Sequence, residues 1–101
     1  MKYAYEESNK KLKIDLDEDI DMNSCRSLRT IVDGYIMRYS PNICEMNMLN
    51  VKFMDSSGLG FIMGRYNLAK MLGCNLIISN ADNNIKKLLE MYKMGNGIKV
   101  I

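Results

Sequence analysis

Along this chain the spacing of apolar residues switches repeatedly between two and about 3.6, and few folds accommodate that pattern. Leu12, Ile14 and Leu16 alternate with charged residues, as in a half-buried strand. Together with a polar turn at Ser8-Asn9-Lys10 and a short strand starting near Tyr3, they read as a hairpin. Cys25, Leu28, Val32, Tyr35, Ile36 and Tyr39 then recur at helical spacing, with Arg26, Arg29 and Arg38 off the stripe. Asn23 or Ser24 is expected to cap this helix, and Ser40-Pro41-Asn42 to stop it. From Ile43 to Leu49 the alternation returns, with Cys44, Met46 and Met48 set against Glu45 and Asn47. A central helix is predicted from about Ser57, with Leu59, Ile62, Met63, Tyr66 and Ala69 on one stripe and Gly73 as its end signal. Asn75 to Ser79 reads as a short buried strand, and Asn83 as the cap of a last helix bearing Ile85, Leu88, Leu89 and Tyr92. Gly95-Asn96-Gly97 turns the chain into a final strand, Ile98 to Ile101. The predicted order is β-β-α-β-α-β-α-β. Strands interleaved with helices require parallel pairings and right-handed crossovers, so the fold class is α/β, a mixed β-sheet with an N-terminal hairpin and helices packed on it. With 101 residues and no repeat or linker, one domain over residues 1–101 is expected.

Composition narrows the chemistry. The chain has no histidine, which removes the commonest general base and the commonest metal ligand. Serine–histidine and cysteine–histidine nucleophile pairs are therefore impossible. Cys25, Cys44 and Cys74 have no C-x-x-C spacing, and each sits in an apolar pattern, so buried free thiols are expected, as in a reducing compartment. Neither a metal site nor a cofactor is expected. The ten methionines are expected mostly at core-facing positions. A net charge of +2 gives no strong footprint for nucleic acid. No apolar run approaches the roughly 20 residues of a membrane span, and the N-terminus turns acidic at Glu6-Glu7, unlike a signal peptide. The expectation is a cytoplasmic protein with no nucleic-acid or membrane partner.

One segment concentrates the small and polar residues: Phe53-Met-Asp-Ser-Ser-Gly-Leu-Gly-Phe-Ile-Met-Gly-Arg-Tyr66, at the hand-over from a strand to a helix. In the plainest reading Asp55 or Ser56 caps the helix while the glycines allow a tight turn and close packing. A hydroxyl at a helix N-terminus is also a natural place for phosphate, since free amides and the helix dipole favour negative charge. The charge of roughly −1.5 to −2 on a phosphoserine would be tolerated locally, so it would act on whatever docks against the loop. Asp17, Asp19 and Asp21 are expected at the same end of the sheet. Two further readings are weaker. Gly58-x-Gly60-x-x-x-Gly64 with Asp82 resembles a dinucleotide fingerprint, but its third glycine falls one residue late. A serine hydrolase would need Lys52 as its base. A P-loop is excluded, because no Gly-Lys-Ser or Gly-Lys-Thr occurs.

The segment from Phe53 to Tyr66 closely resembles the signature of STAS-domain anti-sigma factor antagonists, nearest to their stage II sporulation AA type. The resemblance extends over essentially the whole chain: Ile14-x-Leu16 and Ile20-Asp21 upstream, Asn47 where the family carries Asp or Asn, and Ile85-Lys86-Lys87-Leu88-Leu89 downstream. Glu18-Asp19 departs from it, standing where members commonly carry glycine before the apolar-Asp pair. The resemblance implies a binding protein and kinase substrate, with no catalytic residues of its own. Its implied phosphorylation site is Ser56. Unphosphorylated, it would bind a partner that is both anti-sigma factor and serine kinase, with nucleotide on the partner, and release the sigma factor. A serine phosphatase would reset it, and sporulation transcription is the implied setting. The implied partner contacts are Asp21, Asp55, Ser57, Gly58, Leu59 and Gly60. Phe61 and Arg65 are added on helical geometry, which places them on the outer face of the helix. The alternative is a non-switching scaffold or transport-complex subunit in which Ser56 is only a helix cap.

Overall fold

The period-two stretches become strands of one sheet in a computed structural model, which describes residues 1–92 and 97–101. The elements are β1 (Lys2–Glu6), β2 (Lys11–Asp15), α1 (Cys25–Tyr39), β3 (Ile43–Asn47), α2 (Ser56–Met71), β4 (Asn75–Ser79), α3 (Asn83–Met91) and β5 (Lys99–Val100). The order agrees with the periodicity. Gly95 and Asn96 of the expected last turn lie outside the described residues. The sheet runs β1-β2-β3-β4-β5, antiparallel between β1 and β2 and parallel thereafter.

Register decides which side chains share a face. Leu12 pairs with Cys44 and Cys44 with Leu76; Ile14 pairs with Met46 and Met46 with Ile78. These six are buried, and each fully buried aliphatic chain among them contributes about 1.5–3 kcal/mol. The helices cover this face. The other carries Lys11, Lys13, Asp15, Ile43, Glu45, Asn47, Asn75, Ile77, Ser79 and Lys99, and is mostly polar. Among the described residues no helix is long and apolar enough to cross a membrane.

Helix α1 buries Leu28, Val32 and Ile36. Its half-buried Tyr35 and Tyr39 receive the hairpin: Tyr3 stacks on Tyr35 at 4.1 Å and Tyr5 on Tyr39 at 4.6 Å. Such stacks add about 0.5–1.5 kcal/mol each beyond burial. Ser40, at φ 42°, ends the helix as expected. Its N-cap position is Ser24, one of the two expected, but the Ser24 side chain makes no capping bond to the helix. Asp21 Oδ1 accepts from the N–H groups of Asn23 and Ser24 at 2.9 and 3.0 Å, while Ser24 Oγ accepts from the Asp21 N–H at 3.1 Å. This reciprocal pair holds the turn that leads into the helix, with Asp21 supplying its carboxylate. The last helix is capped one residue earlier than expected, by Asp82 accepting from the Ile85 N–H at 2.8 Å, rather than by Asn83.

Helix α2 departs most from the single-stripe expectation. Leu59, Ile62 and Ala69 are buried, but so are Gly58, Phe61 and Arg65, while Met63 is exposed. The helix is clasped between the sheet and α1, so two of its sides are covered and no single stripe describes it. Gly73, at φ +70°, ends the turn that follows it. Of the methionines among the described residues only Met46, Met48 and Met54 are in the core; Met22, Met37, Met63, Met71 and Met91 are exposed, contrary to expectation. Cys44 and Cys74 are buried and Cys25 is half-buried; all three are free thiols. Burial pushes the Cys44 thiol up to about 12.

Candidate functional site at the start of helix α2

The loops leaving β2 and β3 are knitted together beyond the ends of those strands. Ile20 and Met54 form a parallel bridge, the Ile20 N–H donating to the Phe53 carbonyl at 3.1 Å and the Asp55 N–H to the Ile20 carbonyl at 3.3 Å. The expectation that the acidic loop and the serine loop share one end of the sheet therefore holds for Asp21, which directly follows Ile20. Neither Glu18 nor Asp19 adopts a positive φ, so this loop has no conformational need for the glycine that Glu18-Asp19 replaces.

Asp55 keeps an extended backbone, and its Oδ1 accepts from the N–H groups of Ser57 at 2.8 Å and Gly58 at 3.4 Å. It is the N-cap of α2. Ser56 is the first helical residue; it is exposed, and its hydroxyl makes no hydrogen bond among the described residues. The reading in which Ser56 serves only as a cap thus loses its structural ground. Gly58 lies where a Cβ would come within 2.0 Å of Met54 Cγ and 3.0 Å of the Ile20 carbonyl oxygen. Only glycine lets α2 start this close to the bridge.

On the open face of the sheet, Asn47 Nδ2 donates to Asp15 Oδ1 at 2.9 Å, and its Oδ1 accepts from Asn80 Nδ2 at 2.9 Å and from the Leu49 N–H at 3.2 Å. Asn47 thereby ties three strand ends just behind the site loops. Nearby, Glu45 accepts from Ser79 Oγ at 2.6 Å and meets Lys11 Nζ at 3.0 Å. The Ser79 hydroxyl and then Lys11 hold its carboxyl below the usual range, against the opposing effect of burial.

The residues singled out from sequence fall into three places. Asp21, Asp55, Ser56 and Ser57 belong to the two stitched loops and the first turn of α2, and Gly60 is exposed one turn on. Gly58 and Leu59 are buried, so their side of the helix faces the protein itself. Phe61 and Arg65 are not on the outer face of α2 but on the side turned to α1. Arg65 stacks over the Phe61 ring at 5.2 Å and meets Asp33 of α1 at 2.6 Å from Nε to Oδ1. Sequence reading missed Asp33. The available signal was that it is the one acid in α1, and that α2 carries an arginine in its middle, between Gly64 and Tyr66.

The rival chemistries find little here. The Asp82 carboxylate is engaged in capping α3, so it does not serve as a ribose-binding acid. Among the described residues no base is hydrogen-bonded to Ser56, and no cluster of potential metal ligands occurs.

Comparison with known proteins agrees with this geometry. Residues 2–101 match the STAS domain family. The anti-sigma F factor antagonist of Paenibacillus polymyxa is 31% identical over 80 residues, which cover 79% of this chain and 68% of that protein. The unphosphorylated anti-sigma factor antagonist SpoIIAA superimposes with a TM-score of 0.72 at 20% identity, over 99% of this chain and 87% of its own. A Thermotoga maritima protein assigned as an anti-sigma factor antagonist superimposes with a TM-score of 0.87 at 12% identity, over 98% of this chain and 83% of its own. With the family matched over residues 2–101 and a curated anti-sigma F factor antagonist 31% identical over most of the chain, this chain belongs to the STAS-domain anti-sigma factor antagonists.

Proposed function

We propose that this antagonist, unphosphorylated at Ser56, binds an anti-sigma factor that is also a serine kinase and so frees the sigma factor it holds. Phosphorylation of Ser56 by that partner ends the interaction, and a serine phosphatase restores it. The single observation that carries the proposal is the state of Ser56. It opens α2, is exposed, and has no structural duty, because Asp55 performs the capping. A hydroxyl so placed is accessible to a kinase, and its modification leaves the local fold intact.

The switch works through charge. A dianion at the first turn is favourable for α2, whose amide end carries partial positive charge. Any partner surface docked over Ser56, Ser57, Gly60 and Asp21 has to desolvate that dianion beside the carboxylates already there, and binding weakens. On this reading the chain is a cytoplasmic binding protein and phosphoprotein, without catalytic residues, acting in sporulation transcription, a setting supported by the likeness to the anti-sigma F factor antagonist. Intact-mass measurement after incubation with ATP and the cognate anti-sigma kinase tests it. One added phosphate mapping to Ser56 is expected. No added phosphate from a kinase active on another antagonist would overturn the switch.

A further inference from the structure

A groove of about 380 Å³ runs between α1 and α2, lined by Arg26 and Arg29 from one helix and Ser57, Gly60, Phe61 and Arg65 from the other. Its size falls at the small end of the roughly 300–1,000 Å³ usual for small-molecule sites. Three of its lining residues are arginines and none is acidic. Arg65 forms the floor, with its side chain only 6% exposed. A guanidinium buried to that extent normally has its donors matched, since unpaired buried charge is costly. Here the match is incomplete. Asp33 meets Nε at 2.6 Å as an ion pair, and Nη1 is left without a hydrogen-bond partner. Arg29 adds repulsion, which together with burial lowers the Arg65 pKa against the effect of Asp33. Three guanidinium-bearing side chains therefore line the groove while the one carboxylate paired there, Asp33, meets Arg65, and the positive end of the α2 dipole lies beside them.

We infer that the groove between α1 and α2 is a binding site for a phosphoryl oxyanion, held by Arg26, Arg29 and Arg65. Guanidinium donors in a fork match phosphate oxygens two at a time, and the Phe61 ring gives an attached group an apolar surface to lie on. The occupant is an inorganic phosphate ion or the phosphate of a small monoester. The site is separate from Ser56, which does not line the groove, and needs no kinase or sigma factor to be detected.

The test is a titration of the full, unmodified chain with inorganic phosphate and, separately, with phenyl phosphate, followed by two-dimensional nitrogen–proton NMR at ionic strength held constant with chloride. Saturable shifts are expected at the amides of Ser57, Gly60 and Gly64 and at the Arg65 Nε–H. An Arg26→Gln/Arg29→Gln double variant, whose changes are both on the exposed side of α1, should fold normally and bind roughly tenfold more weakly or worse, as expected for lost charge-assisted hydrogen bonds. Tighter binding of phenyl phosphate would assign the site to a monoester; equal or weaker binding would assign it to the free ion. Shifts that rise linearly without saturating, or that persist unchanged in the double variant, would overturn the site.

Discussion

The Asp55 carboxylate holds the amide of Ser57 at 2.8 Å and reaches over to that of Gly58, passing by Ser56. The residue next to a cap is thereby released from capping, and the two substitutions should separate cleanly. Asp55→Ala is expected to cost about 1 kcal/mol, within the usual range for a lost N-cap. Ser56→Ala, at an exposed position without a hydrogen bond, should stay within about 0.5 kcal/mol of the parent. Urea unfolding followed by circular dichroism measures both, and equal losses would return the capping role to Ser56.

Gly58 should be the least replaceable position in the motif. A methyl group there meets Met54 and the Ile20 carbonyl, so Gly58→Ala forces the bridge between the two loops apart. The expected cost is about 1–3 kcal/mol, typical of overpacking. Hydrogen exchange should report it locally, as faster exchange of the Ile20 and Asp55 amides. Gly60→Ala, with open space around its Cβ, is the matched control and should be close to neutral.

Glu45 gives the sheet an acid-sensitive contact. Its folded-state pKa is lowered by Ser79 and Lys11, so its stabilisation is present above the unfolded value of about 4.3 and is lost as pH falls through the folded one. Glu45→Gln should therefore lower stability at pH 7 and flatten the fall in stability below about pH 4.3. Denaturation midpoints across pH 2–7 for both proteins would check this, and parallel curves would contradict it.

The three thiols should differ sharply in reactivity. Cys25 is half-buried, whereas Cys44 is sealed in the sheet with its pKa pushed up to about 12. A small alkylating reagent at pH 8 should modify Cys25 first and reach Cys44 at the rate of unfolding. Peptide mapping over time measures the order.

Much of this architecture was legible because period-two and helical stripes are direct records of which side is covered. Leu12 and Ile14 announced β2, and Leu28, Val32 and Ile36 announced the inner side of α1. The pattern lost its meaning where an element is covered twice. In α2 the burial of Phe61 and Arg65 depends on α1, which arrives from elsewhere in the chain, so nothing local to the helix marks them. The cap of α3 was displaced for a different reason. Asp82 stands beside Asn83, which has a similar capping preference, and only backbone geometry separates them. Exposed methionines such as Met71 and Met91 escaped because side-chain type alone was taken to signal the interior.

The bridge between Ile20 and Met54 has a bearing on timing. Because it extends the sheet's own hydrogen bonding into the loop before Ser56, opening this surface means breaking ladder bonds, and motions of that kind belong to microseconds or longer. The two loops therefore hold one arrangement before any partner arrives. If this surface docks a protein as proposed, encounter proceeds without an ordering step, at a rate set by diffusion and charge.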